Sequence, residues 1–342
     1  MLGAVDATLP TSLTVLLNEV TLRAESPRAL FEWVEQDLER PYQVLDVLER
    51  TGQFCIFTFD GLERVSETVG HRDALIGALL SLALDLLRRY RWVRYKIFLR
   101  PDHESAGAKA FPDASRLAGY RLVLDWDIGS LNRLLLRQIV NLSSDGAQIR
   151  EVLFPGLFRS IDRLGYIPTA AFDVAEQERG IHALCGKYLG RDPRSGRTED
   201  WIYMHLIDTF RRTTPRSLLL AFKAAAEHAR NKPIQEGPPL GRDDLHHGVV
   251  SASQRRVEEF IEDHPWLARV KPRLEGLAVP CEEAELLARL GPDADRIKDL
   301  EDIGVLSRRM NKKSGAPERR NVPDLYRLAL GLKRKGGILR PI

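Results

Sequence analysis

The sequence predicts an α/β fold that begins with half of a doubly wound sheet and ends in a small domain of helices and one hairpin. Residues 54–59 form an apolar, aromatic-rich run that stops at Asp60, as buried parallel strands do. Residues 93–100 and 120–124 are predicted to be two further strands, and a long helix over 73–90 separates the first two. The order strand, helix, strand, strand, helix is typical of the second half of a doubly wound sheet.

The rest of the chain divides by composition. Residues 231–248 are rich in proline and glycine and include His246 and His247, which favours a linker in which both histidines are solvated rather than metal ligands. The predicted organisation is a partial α/β core at 1–140, a helical lid at 141–230, a linker at 231–248 and a winged-helix domain at 249–342.

Composition indicates a soluble globular protein. The chain has 342 residues, of which 44% are hydrophobic and 29% are charged, and a formal net charge of +3. Cys55, Cys185 and Cys281 lie far apart, which argues against a zinc site or a disulfide framework and suits a reducing cytoplasm. No basic segment followed by an apolar stretch opens the chain, and the most apolar helix, 74–87, is too short to cross a bilayer. We therefore expect a cytoplasmic protein without membrane segments.

Asp60 is the first candidate functional residue, because it directly follows the predicted strand. Ligands of open α/β sheets bind at the carboxyl ends of the strands. In P-loop NTPases an aspartate there holds Mg²⁺, and the run therefore matches a Walker B strand. Glu63 follows three residues later and is close enough to position water. The alternative is that Asp60 only caps a following helix, and the motif alone leaves both interpretations open.

A matching phosphate-binding loop is missing. The nearest approach to the pattern Gly-x-x-x-x-Gly-Lys-Ser/Thr is residues 180–188, which have one residue too many between the glycines and Tyr188 in place of the hydroxyl residue. This segment also lies far downstream of Asp60, and Gly186-Lys187 suits a helix C-terminus better. We therefore expect that the chain does not bind a nucleoside triphosphate on its own.

The last domain carries a local excess of positive charge. Three helices are predicted over 253–264, 282–290 and 293–303, followed by a hairpin with its polar tip at 311–317, which is the winged-helix arrangement. Residues 305–342 contain eleven basic residues against two acidic ones. The basic residues that flank the predicted wing are Arg308, Arg309, Lys312, Lys313, Arg319 and Arg320. They suit phosphate contacts with DNA or RNA, or docking of an acidic protein surface.

Taken in order from about residue 52, these features resemble the STAND and AAA+-like P-loop ATPases of bacterial signalling and phage-defence systems. The strand of those proteins ends in a pattern like Asp-x-Leu-Asp-Arg, which Asp60-Gly61-Leu62-Glu63-Arg64 matches except at Glu63. A sensor residue ends their next strand, as Arg100 does here, and a Pro-Arg pair opens a lid helix, as Pro215-Arg216 does. Their C-terminal pattern is similar to Val322-Pro323-Asp324-Leu325-Tyr326-Arg327 and the later Gly336-Gly337.

The resemblance implies a partial P-loop-NTPase-like sheet, a helical lid and a winged helix. It implies catalytic roles for Asp60 and Glu63, with Asp60 also a Mg²⁺ ligand, and nucleotide contacts by Arg64, Arg100 and Arg216. Arginine suits phosphate oxygens, although a surface or ion-paired role is the alternative for each one. ATP and Mg²⁺ are expected only if a partner supplies the phosphate-binding loop.

Two functional hypotheses remain. The first is an ATPase-like subunit, split or degenerate, that acts with a protein partner in a bacterial defence or regulatory complex. ATP hydrolysis would then depend on that partner. The second is a winged-helix regulator that binds nucleic acid, in which the α/β part only forms oligomers.

Overall fold

A computed structural model describes residues 39–52, 54–62, 65–66, 69–100, 114–142, 145–190, 196–233, 236–309 and 319–336. The chain is mixed α/β and divides into two compact units, Met1–Leu122 and Val123–Ile342, which are considered separately. The predicted boundary between the α/β core and the lid, at residue 140, falls inside the second unit.

The described residues of the first unit form a βαβ motif. Its elements are α1 (Arg40–Thr51), β1 (Cys55–Phe59), α2 (Val69–Arg89), β2 (Val93–Ile97) and a 3₁₀ helix (Ala114–Tyr120). Gly52 ends α1 in the left-handed conformation, with φ of 66°, and so turns the chain into β1. The two strands pair in parallel with Phe59 opposite Ile97, which requires a crossover such as α2.

One face of this two-stranded sheet is covered and the other is open. Cys55 and Phe57 of β1 and Tyr95 of β2 pack against buried residues of α1 and α2. Ile56 and Lys96, which point to the opposite face, are exposed. The predicted parallel strand therefore exists, but it is not buried on both faces as its apolar composition suggested.

The strand predicted at 120–124 is absent from the described ladders. Residues 121–127 form neither helix nor strand and are all exposed. A strand needs a neighbouring strand to satisfy its backbone groups, and local composition does not supply that information.

The second unit begins with a helical part. Its elements are α3 (Ile128–Val140), α4 (Gly146–Leu153), the hairpin strands β3 (Phe158–Ile161) and β4 (Gly165–Pro168), α5 (Val174–Cys185), α6 (Thr198–Leu206), α7 (Pro215–Arg230) and α8 (Arg242–Asp263). Helices α7 and α8 pack closely because Gly248 of α8 lies against the backbone carbonyl of Ala221. Its missing side chain permits an approach that a Cβ atom would prevent.

Helix α8 corrects the predicted linker at 231–248. Residues 242–248, including His246 and His247, form its first two turns. The Asp244 side chain accepts a hydrogen bond from the Gly241 N–H at 2.9 Å and so caps the helix start. One hydrophobic cluster then runs from Leu131 to Leu332, so no separate core marks the predicted boundary at 249.

The C-terminal part combines short helices with an antiparallel sheet. Its elements are α9 (Leu267–Leu274), β5 (Ala278–Val279), β6 (Cys281–Glu282), α10 (Glu283–Leu290), a 3₁₀ helix (Gly291–Arg296), α11 (Ile297–Asp302), β7 (Ser307–Arg309), β8 (Arg319–Asn321), α12 (Asp324–Arg327) and β9 (Lys333–Arg334). The sheet order is β6-β8-β7, and β5 pairs separately with β9. Among the described helices, none is both long and apolar enough to cross a membrane.

Candidate functional site

Asp60 lies at the carboxyl end of β1. The strand ends at Phe59, and the Asp60 side chain is exposed, with its Oδ1 atom accepting a hydrogen bond from the Gly61 N–H at 2.8 Å. Gly61 has a φ of 73°, a left-handed conformation that glycine adopts without a Cβ penalty. The turn therefore presents the carboxylate at the strand end.

Arg100 follows the neighbouring strand at the same edge. β2 ends at Ile97, and the Phe98 N–H donates to the Phe59 carbonyl at 2.9 Å, which extends the pairing by one step. Because the two strands are parallel, the backbones at Asp60 and Arg100 lie beyond the same edge of the sheet. The sequence-predicted partners Glu63 and Arg64 lie outside the described residues.

This edge by itself does not complete a Mg²⁺ site. Within the described parts of the chain, no group of three or more His, Cys, Asp or Glu side chains is arranged to hold a metal ion. Asp60 would be a single carboxylate ligand, and Mg²⁺ in NTPases also relies on phosphate oxygens and a hydroxyl of the phosphate-binding loop. The described residues therefore fit Mg²⁺ only as part of a larger site.

Arg216 belongs to the second unit and is held by an ion pair. It lies in the first turn of α7, where Thr214 accepts a hydrogen bond from the Ser217 N–H at 3.2 Å. Its guanidinium contacts Glu259 of α8 at 2.8 Å. Burial alone would raise the pKa of Glu259, but hydrogen bonds from Arg216 and Arg256 hold that pKa below its ordinary value. Arg216 thus has a structural role that ties α7 to α8.

The predicted nucleic-acid residues differ in their burial, as Arg308 and Arg320 show. Arg320 is only 2% exposed, and its guanidinium pairs with Glu283 at 2.8 Å and with Glu301. Arg308 lies opposite Arg320 in the β7–β8 ladder and pairs with Glu301 at 3.1 Å. Arg320 is therefore a buried structural residue that does not reach a phosphate from this position, which corrects its assignment as a nucleic-acid contact.

The other four predicted nucleic-acid residues lie on the hairpin strands or outside the described residues. Arg319 is half-buried on β8, and its register partner on β7 is Arg309, of whose side chain nothing is described. Lys312 and Lys313 lie outside the described residues. Arg308, although exposed in part, already shares the carboxylate of Glu301 with Arg320.

The helices that precede the hairpin are acidic. Residues 282–302 contain eight carboxylates against three basic side chains, which are Arg289, Arg296 and Lys298. These residues span α10, the 3₁₀ helix and α11. A helix that enters a groove of DNA must lie among phosphates, so this charge opposes such a docking mode.

A buried ion cluster that the sequence did not reveal joins the helical and C-terminal parts of the second unit. His205 of α6 lies 3.0 Å from Asp324 of α12, and Asp324 also pairs with Arg327 at 2.5 Å and with Arg334. Burial would raise the pKa of Asp324, but the hydrogen bond from Arg327 and the charges of His205 and Arg334 hold it below its ordinary value. Burial lowers the pKa of His205, although Asp324 opposes that shift. Only the Asp324-Arg327 spacing at a helix start was visible in the sequence.

Comparisons with known proteins add no relative: no family model, curated protein or solved structure matches this chain.

Proposed function

We propose that this chain is an ATPase-like subunit that acts with a protein partner, and that the partner supplies the missing phosphate-binding loop. The supporting observation is that Asp60 and Arg100 follow neighbouring parallel strands at one edge of the sheet. A carboxylate at that position suits Mg²⁺, and a guanidinium suits phosphate oxygens. Asp60 and Glu63 then have the catalytic roles, and Arg64 and Arg100 contact nucleotide, whereas Arg216 keeps its ion pair with Glu259 in the second unit. The motif resemblance is the basis for assigning the protein to a bacterial defence or regulatory complex.

The surface of the first unit supports a protein partner. Its described residues include large apolar side chains that are exposed, namely Phe54, Ile56, Leu75, Leu82 and Phe98. Parallel sheets are normally covered on both faces, and soluble monomers seldom expose many large apolar side chains together. A second protein chain that adds to this sheet would cover side chains of the sheet such as Ile56 and bring a phosphate-binding loop to the edge that carries Asp60.

We further propose that the C-terminal part is a winged helix that contacts protein. The order of helix, strand, helix, helix and hairpin, with sheet order β6-β8-β7, is similar to that of winged helices and supports this proposal. The acidic helices α10 and α11 and the pairing of Arg308 and Arg320 with Glu301 favour a protein contact over nucleic acid. These features weigh against a nucleic-acid-binding regulator.

The test compares the chain alone with its native complex. We expect no Mg²⁺-dependent ATP hydrolysis by the chain alone and hydrolysis by the complex, isolated by tagging the chain in its own host. Asp60→Asn should abolish that hydrolysis, whereas Asp85→Asn, an equally conservative change on the exposed side of α2, should not. Two results would overturn the proposal. One is ATP hydrolysis by the chain alone that Asp60→Asn abolishes, and the other is hydrolysis by the complex that Asp60→Asn leaves unchanged.

A further inference from the structure

The segment that joins the two units has strand-forming residues and no strand partner among the described residues. Leu122, Val123 and Leu124 are 81%, 57% and 71% exposed, and Trp126 is also exposed. Residues 121–127 belong to no ladder among the described strands. β-Branched and aromatic residues such as Val123 and Trp126 favour strands, and an exposed apolar segment gains by pairing with a free sheet edge.

The sheet of the first unit offers a free edge. β2 pairs only with β1 among the described strands, so its outer backbone groups face no described strand. The side chains of β2 alternate between two environments. Val93 and Tyr95 point toward α1 and α2, and Arg94 and Lys96 point to the open face.

The alternation of the joining segment complements that of β2. Leu122, Leu124 and Trp126 alternate with Val123, Asp125 and Asp127. If the segment pairs with β2 so that its leucines extend the covered face, Asp125 extends the open face beside Arg94 and Lys96. Asp127 follows at the end of the segment, where its Oδ1 atom caps α3 by accepting the Ser130 N–H. Side chains on one face of adjacent strands lie close together, and opposite charges there stabilise the pair.

We propose that residues 122–127 pair with the free edge of β2 in a second copy of the chain, so that two copies exchange this segment. Pairing between copies is favoured because the segment is exposed in this structure instead of lying on its own sheet. The 3₁₀ helix that immediately precedes it contacts α2, which holds the start of the segment near that helix. Two-fold exchange would pair the backbone hydrogen-bonding groups of both segments with those of both β2 edges. The proposal does not depend on nucleotide binding, because it does not use the outer edge of β1, which pairs with no further strand among the described residues.

The test is the mass of the full-length chain in solution, measured by light scattering after size exclusion over a range of concentrations. The wild-type chain should be a dimer that dissociates on dilution. Asp125→Lys should weaken the dimer at least tenfold, because a lysine then faces Arg94 and Lys96. Asp127 is left unchanged because its Oδ1 atom caps α3 by accepting the Ser130 N–H at 2.6 Å. Leu164→Lys, a change at another exposed leucine in the β3–β4 turn, should leave the dimer unchanged.

A charge-reversal pair makes the test specific. Lys96→Glu in an otherwise wild-type chain should weaken its own dimer, because glutamate then faces Asp125. Mixing that chain with the Asp125→Lys chain should give a heterodimer, since position 125 of each copy then faces a residue of opposite charge at position 96 of the other. Native mass spectrometry separates the three species. A wild-type chain that is monomeric at every concentration, or a mixture without preferred heterodimer, would overturn the proposal, as would hydrogen exchange protection of 122–127 in a monomer.

Discussion

The Nε2 atom of His205 lies 3.0 Å from the Oδ2 atom of Asp324, and this contact joins α6 to α12 across 119 residues of chain. Both side chains are buried, and Asp324 is also the common partner of Arg327 and Arg334. The only described carboxylate in this cluster therefore balances two guanidinium groups and faces one imidazole. Its removal affects all of these pairings at once.

We expect Asp324→Asn to destabilise the second unit by about 3 kcal/mol, because Arg327 and Arg334, which are only partly exposed, lose their shared counter-charge. The measurement is the midpoint of urea unfolding followed by tryptophan fluorescence. Asp302→Asn, at the exposed end of α11, is the matched control and should change the midpoint little. Equal midpoints for the two variants would show that the buried cluster does not stabilise the unit.

The second prediction concerns the pH dependence that His205 imposes. Burial holds its pKa in the folded protein below the ordinary value of 6.5. A lowered pKa means that the unfolded chain takes up the proton more readily, so the contribution of His205 to stability is present above pH 6.5 and is lost as the pH falls through the folded pKa. Stability measured between pH 7.5 and about 5 should therefore decrease less in His205→Gln than in the wild type.

His246→Gln supplies the control for that series, because His246 is exposed on α8. Its pH profile should follow the wild type. Stability that rises on acidification in the wild type, and no longer rises in His205→Gln, would mean that Asp324 outweighs burial and that the sign is reversed.

The sequence predicted the parts of the fold that local pattern determines. The apolar run at Cys55–Phe59 and the position of Asp60 at the strand end follow from composition. The parallel pairing of β1 with β2 follows from the long helix between them. The start of α8 was also encoded locally, by Asp244 three residues after Gly241, but the neighbouring prolines and glycines favoured a linker instead.

Other features depended on contacts between distant residues. The burial of Arg320 requires Glu283 and Glu301, which lie 37 and 19 residues away and meet it only after β8 has paired with β6 and β7. The contact between His205 and Asp324 has no local signal for the same reason. The prediction of a strand at 120–124 was wrong because strand propensity does not show whether a neighbouring strand has a free edge for pairing.

The third prediction concerns the close approach of α7 and α8. A Cβ atom at Gly248 would lie 2.1 Å from the Ala221 carbonyl oxygen, so Gly248→Ala forces the helices apart and should cost about 1–3 kcal/mol. At Gly129 in α3 the nearest atom would be at 3.4 Å, so Gly129→Ala should be neutral or slightly stabilising. Thermal unfolding of both variants compares the same chemical change in one unit. A Gly248→Ala protein as stable as Gly129→Ala would show that the helices separate without cost.

The last prediction separates structural from binding roles in the β7–β8 hairpin. Arg308 and Arg320 lie opposite each other and share Glu301, but the side chain of Arg308 is 60% exposed and that of Arg320 only 2%. Arg320→Gln should therefore lower stability by about 2 kcal/mol, because it leaves Glu301 and Glu283 without a buried counter-charge, whereas Arg308→Gln should cost well under about 1 kcal/mol.

Binding to duplex and single-stranded DNA, measured by fluorescence anisotropy from low to physiological salt, completes this comparison. A protein-binding hairpin should give no affinity even at low salt, and neither arginine variant should change that. Phosphate contacts would instead appear as binding that weakens with salt, and Lys312→Gln or Lys313→Gln would each reduce the log–log slope by roughly one. That outcome would make nucleic acid the ligand of the hairpin. Arg320→Gln should even then lower binding only by destabilising the protein, because the Arg320 guanidinium is already paired with Glu283 and Glu301.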